Sequence, residues 1–220
     1  MRDKIKIAVL ISGGGTNLQA LLDAQKSGIL KNGEITAVIS NKADAYGLKR
    51  AEAAGVPSCT VVKEKALRRA DGTIDQEDSA EKQRGFEKRL LSVLEDCGAE
   101  LIVLAGFLAI LSADFTRRYP ERILNIHPSL IPSFCGQGYY GLKVHEAALS
   151  YGVKVTGATV HFVNEVPDGG RILFQKAVEV KEGDTPELLQ RRVMEEAEWK
   201  LLPMAAEYVS EKLRMGERKK

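Results

Sequence analysis

Cysteine is scarce in this sequence of 220 residues, which holds three: Cys59, Cys97 and Cys135. An odd number at long, irregular spacing is neither a disulfide framework nor a zinc signature, and it points to a reducing, cytoplasmic setting. Excess charge of either sign is also lacking, with 32 Lys and Arg against 30 Asp and Glu for a net charge of +2. That balance is too close to neutral to imply a nucleic acid or a membrane surface as partner. No apolar run approaches the ~20 residues of a membrane span. Met1-Arg-Asp-Lys-Ile-Lys-Ile runs straight into a strand-like segment, so no secretory signal peptide is expected. The histidines are His127, His145 and His161. They lack the i,i+4 or C-x-x-C spacing of metal ligands, so no metal is expected either.

What is present is ordinary globular material, 44% hydrophobic and 28% charged. A chain of this length buries roughly 70% of the surface its unfolded form exposes, enough to need no staple. No linker or repeat interrupts it, and one domain over residues 1–220 is expected, with a solvated basic tail from Arg214 to Lys220.

Ile5 to Ile11 is nearly continuous in branched residues, the pattern of a strand covered on both faces of a parallel sheet. A tight turn, Ser12-Gly-Gly-Gly-Thr, leads into helical spacing at Leu18, Leu21 and Leu22. Strands follow at Glu34 to Ser40, Cys59 to Val62, Leu101 to Ala105 and Arg122 to Ile126, with helices at Gly47 to Ala54 and Lys82 to Cys97. Lys63 to Ser79 is polar and reads as a loop, and Pro128 to Gly141 is aperiodic. Val153 to Val163 and Ile172 to Val180 read as an antiparallel hairpin across Pro167-Asp168-Gly169-Gly170. Thr185-Pro186-Glu187 opens a last helix that is expected to run to about Leu202, before Pro203, with a further helical segment beyond. The alternation argues an α/β fold: a doubly wound, Rossmann-like, mostly parallel sheet with an antiparallel pair toward the C-terminal part.

Three motifs carry chemistry. Ser12 to Asn17 sits between a strand and a helix, where glycine backbone N–H groups can approach a phosphate at the positive helix end. The spacing is not G-x-G-x-x-G, and no acid follows Ser40-Asn41, which disfavours a dinucleotide. Asn125-Ile-His127-Pro stands at a strand's carboxyl end, with Asn125 and His127 on one face. A carboxamide donor beside an imidazole suits oxyanion stabilisation and proton transfer. His161 alternates with apolar neighbours and reads first as a core histidine. Asp168 has two readings from pattern alone, a turn residue or the carboxylate partner of a histidine. His145 reads as structural or exposed, and Cys135 has no neighbour that would activate it as a nucleophile.

Taken together, Leu10-Ile-Ser-Gly-Gly-Gly-Thr-Asn-Leu-Gln, Leu104-Ala-Gly-Phe-Leu, Leu124-Asn-Ile-His-Pro-Ser-Leu-Ile-Pro, Thr159-Val-His-Phe-Val and Asp168-Gly-Gly resemble the phosphoribosylglycinamide formyltransferase family. The similarity runs from Ile5 to about Pro203. It implies transfer of the formyl group of 10-formyltetrahydrofolate, a co-substrate, to the amine of 5-phosphoribosylglycinamide in de novo purine (IMP) biosynthesis. Under it, Asn125 and protonated His127 stabilise the oxyanion, Asp168 keeps the imidazole charged and orders a relay water, and His161 supports the site. Gly15, Thr16 and Asn17 hold the phosphate and Glu198 the ribose. The pterin lies on Leu108, Ala109, Ile110 and Leu111, on Asn125, and on the loop of Asn164, Glu165, Val166, Pro167 and Asp168. The partners implied are small molecules only, in a monomer or homodimer.

Four positions depart from the family pattern. Leu108-Ala109 replaces a common Met-Arg, Arg171 a Pro, and Trp199 a His, while any of Lys82, Gln83 or Arg84 can match a basic folate contact. The rival readings are a formyltetrahydrofolate hydrolase and a non-catalytic nucleotide-binding protein. The hydrolases usually carry an N-terminal regulatory domain, and this sequence opens at strand one. A methionyl-tRNA formyltransferase is disfavoured for want of a C-terminal RNA-binding domain and a basic surface.

Overall fold

The computed structural model describes residues 3–69 and 71–216. Met1 and Arg2 of the N-terminal segment and residues 217–220 of the basic tail lie outside the described residues. In chain order the elements are β1 (Ile5–Ile11), α1 (Thr16–Lys26), β2 (Gly33–Ser40), α2 (Tyr46–Ala53), β3 (Ser58–Thr60), α3 (Gln76–Asp96) and β4 (Leu101–Leu104). They continue with α4 (Ala113–Thr116), β5 (Ile123–His127), α5 (Leu142–Tyr151), β6 (Val155–Phe162), β7 (Ile172–Glu179), α6 (Pro186–Val193), a π-helical turn (Met194–Glu198) and α7 (Trp199–Arg214).

The seven strands form one sheet in the order β3-β2-β1-β4-β5-β6-β7. β1 to β5 pair in parallel, while β6 is antiparallel to both β5 and β7. The α/β class and the antiparallel C-terminal part are as expected. The side-chain alternation of a strand divides β1 between two cores. Ile5, Ile7, Val9 and Ile11 face α1, α6 and α7, whose Leu18, Leu21, Leu189, Leu202 and Val209 close over them. Ala8 and Leu10 face the other way, onto Phe86, Leu90 and Leu94 of α3 and onto Phe115. Chain order reverses between β1 and β4, and a crevice opens at the carboxyl ends of the strands there.

Boundaries differ from the sequence reading where capping overrides periodicity. α3 begins at Gln76 rather than Lys82, because the Asp75 carboxylate accepts from the N–H groups of Glu77 and Asp78. The polar segment before it is therefore shorter, and it holds a single antiparallel bridge, Arg68 to Ile74. α4, capped by Ser112, is an addition too short to show periodicity. Pro203 does not end the last helix: it lies inside α7, which continues to Arg214. The backbone stays right-handed helical through the π turn, whose flanking residues Val193 and Trp199 keep αR φ and ψ, and Pro203 is buried within α7. Among the described residues no helix is long and apolar enough to cross a membrane.

Candidate active site

A cavity of about 780 Å³ occupies the crevice, and its wall includes the catalytic, phosphate, ribose and pterin residues named above, but none of Lys82, Gln83 and Arg84. Three elements supply its catalytic side chains. β5 ends in Asn125 and His127, and antiparallel pairing sets His161 of β6 directly across from Asn125. Asp168 comes from the β6–β7 connection, where it holds the left-handed φ of 55°. Gly170 fixes that connection: a Cβ there would come 1.7 Å from the Phe162 carbonyl oxygen, so only glycine fits. A non-glycine residue at positive φ costs of order 1–3 kcal/mol and persists only where its surroundings determine it.

The carboxylate stands between two imidazoles. Asp168 Oδ2 lies 3.4 Å from His127 Nδ1, and its Oδ1 lies 3.5 Å from His161 Nε2. Each ring gives its outer nitrogen's proton to a backbone carbonyl, His127 Nε2 to Phe134 at 2.8 Å and His161 Nδ1 to Phe162 at 2.8 Å. A carbonyl only accepts, so both outer nitrogens carry hydrogen and both inner nitrogens face the carboxylate. A proton arriving at either inner nitrogen is met by negative charge. Asn125 Nδ2 completes the cluster, 3.1 Å from His161 Nε2 and 3.4 Å from Asp168 Oδ1, and the Gly136 N–H donates to Oδ2 at 2.8 Å.

Burial pushes the Asp168 pKa up, but the neighbouring His161 and His127 and the Gly136 N–H together outweigh it, so the carboxyl sits below its ordinary range. For His127 burial wins: it holds the imidazole below the ordinary 6.5, against the opposing pull of Asp168 and of the Phe134 carbonyl. The resemblance implies a protonated His127. Burial works against that charged form, and the Asp168 carboxylate 3.4 Å from Nδ1 works for it.

The glycine loop sits at the start of α1. Gly15 is its N-cap at φ 70°, and no acid occupies the first turn. A Cβ on Gly15 would lie 2.7 Å from the Cα of Gly47, so the loop packs backbone to backbone on α2. Arg50 ties the loop from outside, donating to the Gly14 carbonyl at 2.8 Å. Asn17 Nδ2 donates to Glu198 Oε2 at 2.6 Å, and Asn17 Oδ1 is buried without a partner. Glu198 is itself 4% exposed, and burial raises its pKa to about 7, the Asn17 bond opposing.

The opposite wall is held by backbone. Ser12 Oγ accepts from the Leu108 N–H at 2.8 Å, and Gln83 Nε2 donates to the Ile110 carbonyl at 3.0 Å. Buried Glu87 takes the Ser112 N–H and hydroxyl, each at 2.6 Å. Of the three basic-segment candidates, Gln83 is thus fastened to the 108–111 segment, while Lys82 is spent on Asp78 at 3.7 Å and the Lys65 carbonyl.

The departures have structural accounts. Ala109 packs against the α3-side core. Arg171 pairs with Glu121 at 2.8 Å and lies over the Phe162 ring. The buried Trp199 Nε1 has no partner among the described residues. Cys135 is held as a thiol, its pKa raised by burial and by Asp168. His145, read as structural or exposed, is buried and part of the cavity wall. Pattern alone misses the place of His145 in the cavity wall, and it has no signal there beyond lying shortly after a glycine-rich turn. Among the described residues no three His, Cys, Asp or Glu side chains converge as metal ligands.

Comparison with known proteins bears on this geometry. The formyl transferase family model matches residues 5–206. The chain is 45% identical, over 94% of its length, to a trifunctional purine biosynthetic protein adenosine-3 of Gallus gallus, of which it spans only 19%. It is 39% identical to a phosphoribosylglycinamide formyltransferase of Haemophilus influenzae, covering 94% of this chain and 87% of that one. The crystal structure of glycinamide ribonucleotide transformylase 1 from Symbiobacterium toebii superposes with a TM-score of 0.81 at 41% identity, over 94% of this chain and 88% of that one.

Proposed function

The chain belongs to the formyl transferase family, and on that footing we propose that it transfers the formyl group of 10-formyltetrahydrofolate to the amine of 5-phosphoribosylglycinamide. The observation that carries this reading is the junction of Asn125, His127, His161 and Asp168 in one cavity, between an uncapped glycine loop and a backbone-lined apolar wall. The names of the relatives, phosphoribosylglycinamide formyltransferases among them, support the same substrates.

The reaction needs three things from the protein. The amine lone pair attacks the formyl carbon, a C–N bond forms, and the carbonyl electron pair moves onto oxygen. Asn125 Nδ2–H is the donor for that oxyanion, and His127 joins it through Nδ1 once that nitrogen has taken a proton, its Nε2–H being held by the Phe134 carbonyl. Preorganised donors in a water-poor site usually contribute most to catalysis of this kind. The attacking amine must then shed a proton. Neutral His127 accepts it, directly or through a water beside Asp168, and the carboxylate stabilises the imidazolium that results. Collapse of the intermediate breaks the bond to the folate nitrogen, which takes the proton back. Holding both reactants aligned contributes roughly 7–11 kcal/mol on its own.

The ribonucleotide lies along Gly15, Thr16 and Asn17 with its ribose at Glu198. The pterin lies against the Leu108 to Leu111 backbone and the Asn164 to Asp168 loop. Both partners are small molecules, and we assign no nucleic acid or membrane to the chain.

The test is consumption of 10-formyltetrahydrofolate with and without the ribonucleotide. Consumption that requires the ribonucleotide and yields its formylated amine is the expected result. Consumption without it would make the protein the hydrolase, and binding of both ligands without turnover would make it a non-catalytic binding protein.

A further inference from the structure

His145 is a buried imidazole that the fold leaves without hydrogen bonds of its own. It is 1% exposed, and neither Nδ1 nor Nε2 finds a partner among the described residues. A buried polar group left unsatisfied is costly, and one that a native structure retains calls for a partner, whether solvent or ligand. The ring stands in the wall of the catalytic cavity and close enough to His127 to feel its charge.

Its place in the fold says which reactant it meets. α5 packs on α6, and its Leu149 leans on the core shared by α1, α6 and α7. The glycine loop and the turn bearing Glu198 open from that same side. Phe107, Leu111 and Val163, which flank the apolar wall, pack on the opposite core against α3. His145 therefore belongs with the ribonucleotide wall. It is also the fourth residue of α5, a helix whose start has no side-chain cap, and helical side chains lean back toward the N-terminus.

Burial, and then His127, push its pKa down to about 4, so the ring is neutral at physiological pH. A neutral imidazole offers one donor and one acceptor. A phosphate satisfies only the donor. An amide with an adjacent amine satisfies both.

We propose that His145 is a substrate-contacting residue, whose ring accepts a hydrogen bond from, and returns one to, the amide and amine end of the ribonucleotide. The inference rests on the proposed function. A weakly basic acceptor suits the task, because it orients the amine lone pair toward the formyl carbon without favouring the unreactive ammonium form as a carboxylate would.

The test compares His145→Phe, which keeps a ring and removes both polar atoms, with His145→Gln, which keeps a donor and an acceptor. Titration with 5-phosphoribosylglycinamide and, separately, tetrahydrofolate is expected to show a loss of at least ~10-fold in ribonucleotide affinity for Phe. Gln should recover part of that loss, and folate affinity should stay within about twofold in both. The melting temperature of His145→Phe, taken without ligands, should equal or exceed that of the parent, since the orphaned group is gone. Unchanged ribonucleotide affinity, or equal losses for both ligands, would overturn the proposal. Nitrogen NMR of the unmodified protein gives a second reading that does not depend on any variant folding. The His145 ring resonances should move on adding the ribonucleotide alone, and still resonances would overturn it too. An unmodified protein that neither binds nor turns over the ribonucleotide refutes the proposed function instead.

Discussion

The two walls of the cavity are built from different material. On one, Asn17, Glu198 and His145 are buried polar groups, Asn17 Oδ1 and both His145 nitrogens without partners among the described residues, carried on helices packed against the larger core. On the other, Leu108, Ile110 and Val166 are exposed apolar side chains on loops, and the polar atoms on offer are backbone. The contrast bears on specificity. A ligand that fails to match buried polar groups leaves them unpaired and is rejected by large factors, whereas an apolar wall discriminates by only ~1–3 kcal/mol per methylene. Under the proposed function, the polar wall would select the acceptor and the apolar wall would tolerate variation in the donor.

The largest effect should come where the walls meet. His127→Ala and Asp168→Asn should each lower kcat by ~10²–10⁴-fold with folding kept, read by steady-state kinetics and circular dichroism. Near-normal rates in both would remove the proton-transfer role of the junction.

The polar wall should next show itself in stability against pH. Glu198 is near 7 in the folded protein against an ordinary 4.5, so its proton stays on in the fold and leaves in the unfolded chain. Its contribution is full below 4.5 and lost as pH rises through 7. His145, near 4 against 6.5, has the opposite sign: full above 6.5 and lost as pH falls toward 4. The two slopes oppose each other over the middle of the range. Glu198→Gln removes one of them, so its stability should climb relative to the parent between pH 4.5 and 7, by about 3 kcal/mol at ~1.4 kcal/mol per pH unit. Urea unfolding at several pH values checks this, and parallel curves would deny Glu198 its buried proton.

A smaller effect separates the walls by ligand. Asn17→Ala removes the donor that Glu198 uses and should raise the KM for the ribonucleotide ~10-fold while leaving the KM for the formyl donor unchanged. The smallest belongs to the apolar wall: Leu108→Ala should raise the KM for the donor by less than ~5-fold and leave the acceptor alone. A reversed pattern, with Leu108→Ala impairing the acceptor, would dissolve the comparison.

The sequence made the two walls unequally legible. Continuous branched runs announced the parallel strands, and the glycine loop, Asn125-x-His127 and the Thr185 cap were local signals whose physics is local. His161 needed β6 to pair antiparallel with β5 before it met Asn125, a register that no short window contains. The family resemblance, not periodicity, pointed to Glu198 and to the role of Asp168. α3 started early because an Asp75 cap supports a first turn without apolar residues. Pro203 misled because a proline reads locally as a helix stop, whereas here it is buried inside a helix that runs on to Arg214. His145 escaped because burial of a mid-helix histidine depends on what packs around α5. Its missing partners became visible only in three dimensions.

The most direct measurement is the single-turnover rate of formyl transfer in Asn125→Ala, taken with the affinities for both ligands. A chemical step slowed by at least ~100-fold, with both affinities within about threefold of the parent, is the result expected of an oxyanion donor standing where the walls meet. An unchanged chemical step, or a loss carried wholly by binding, would contradict it.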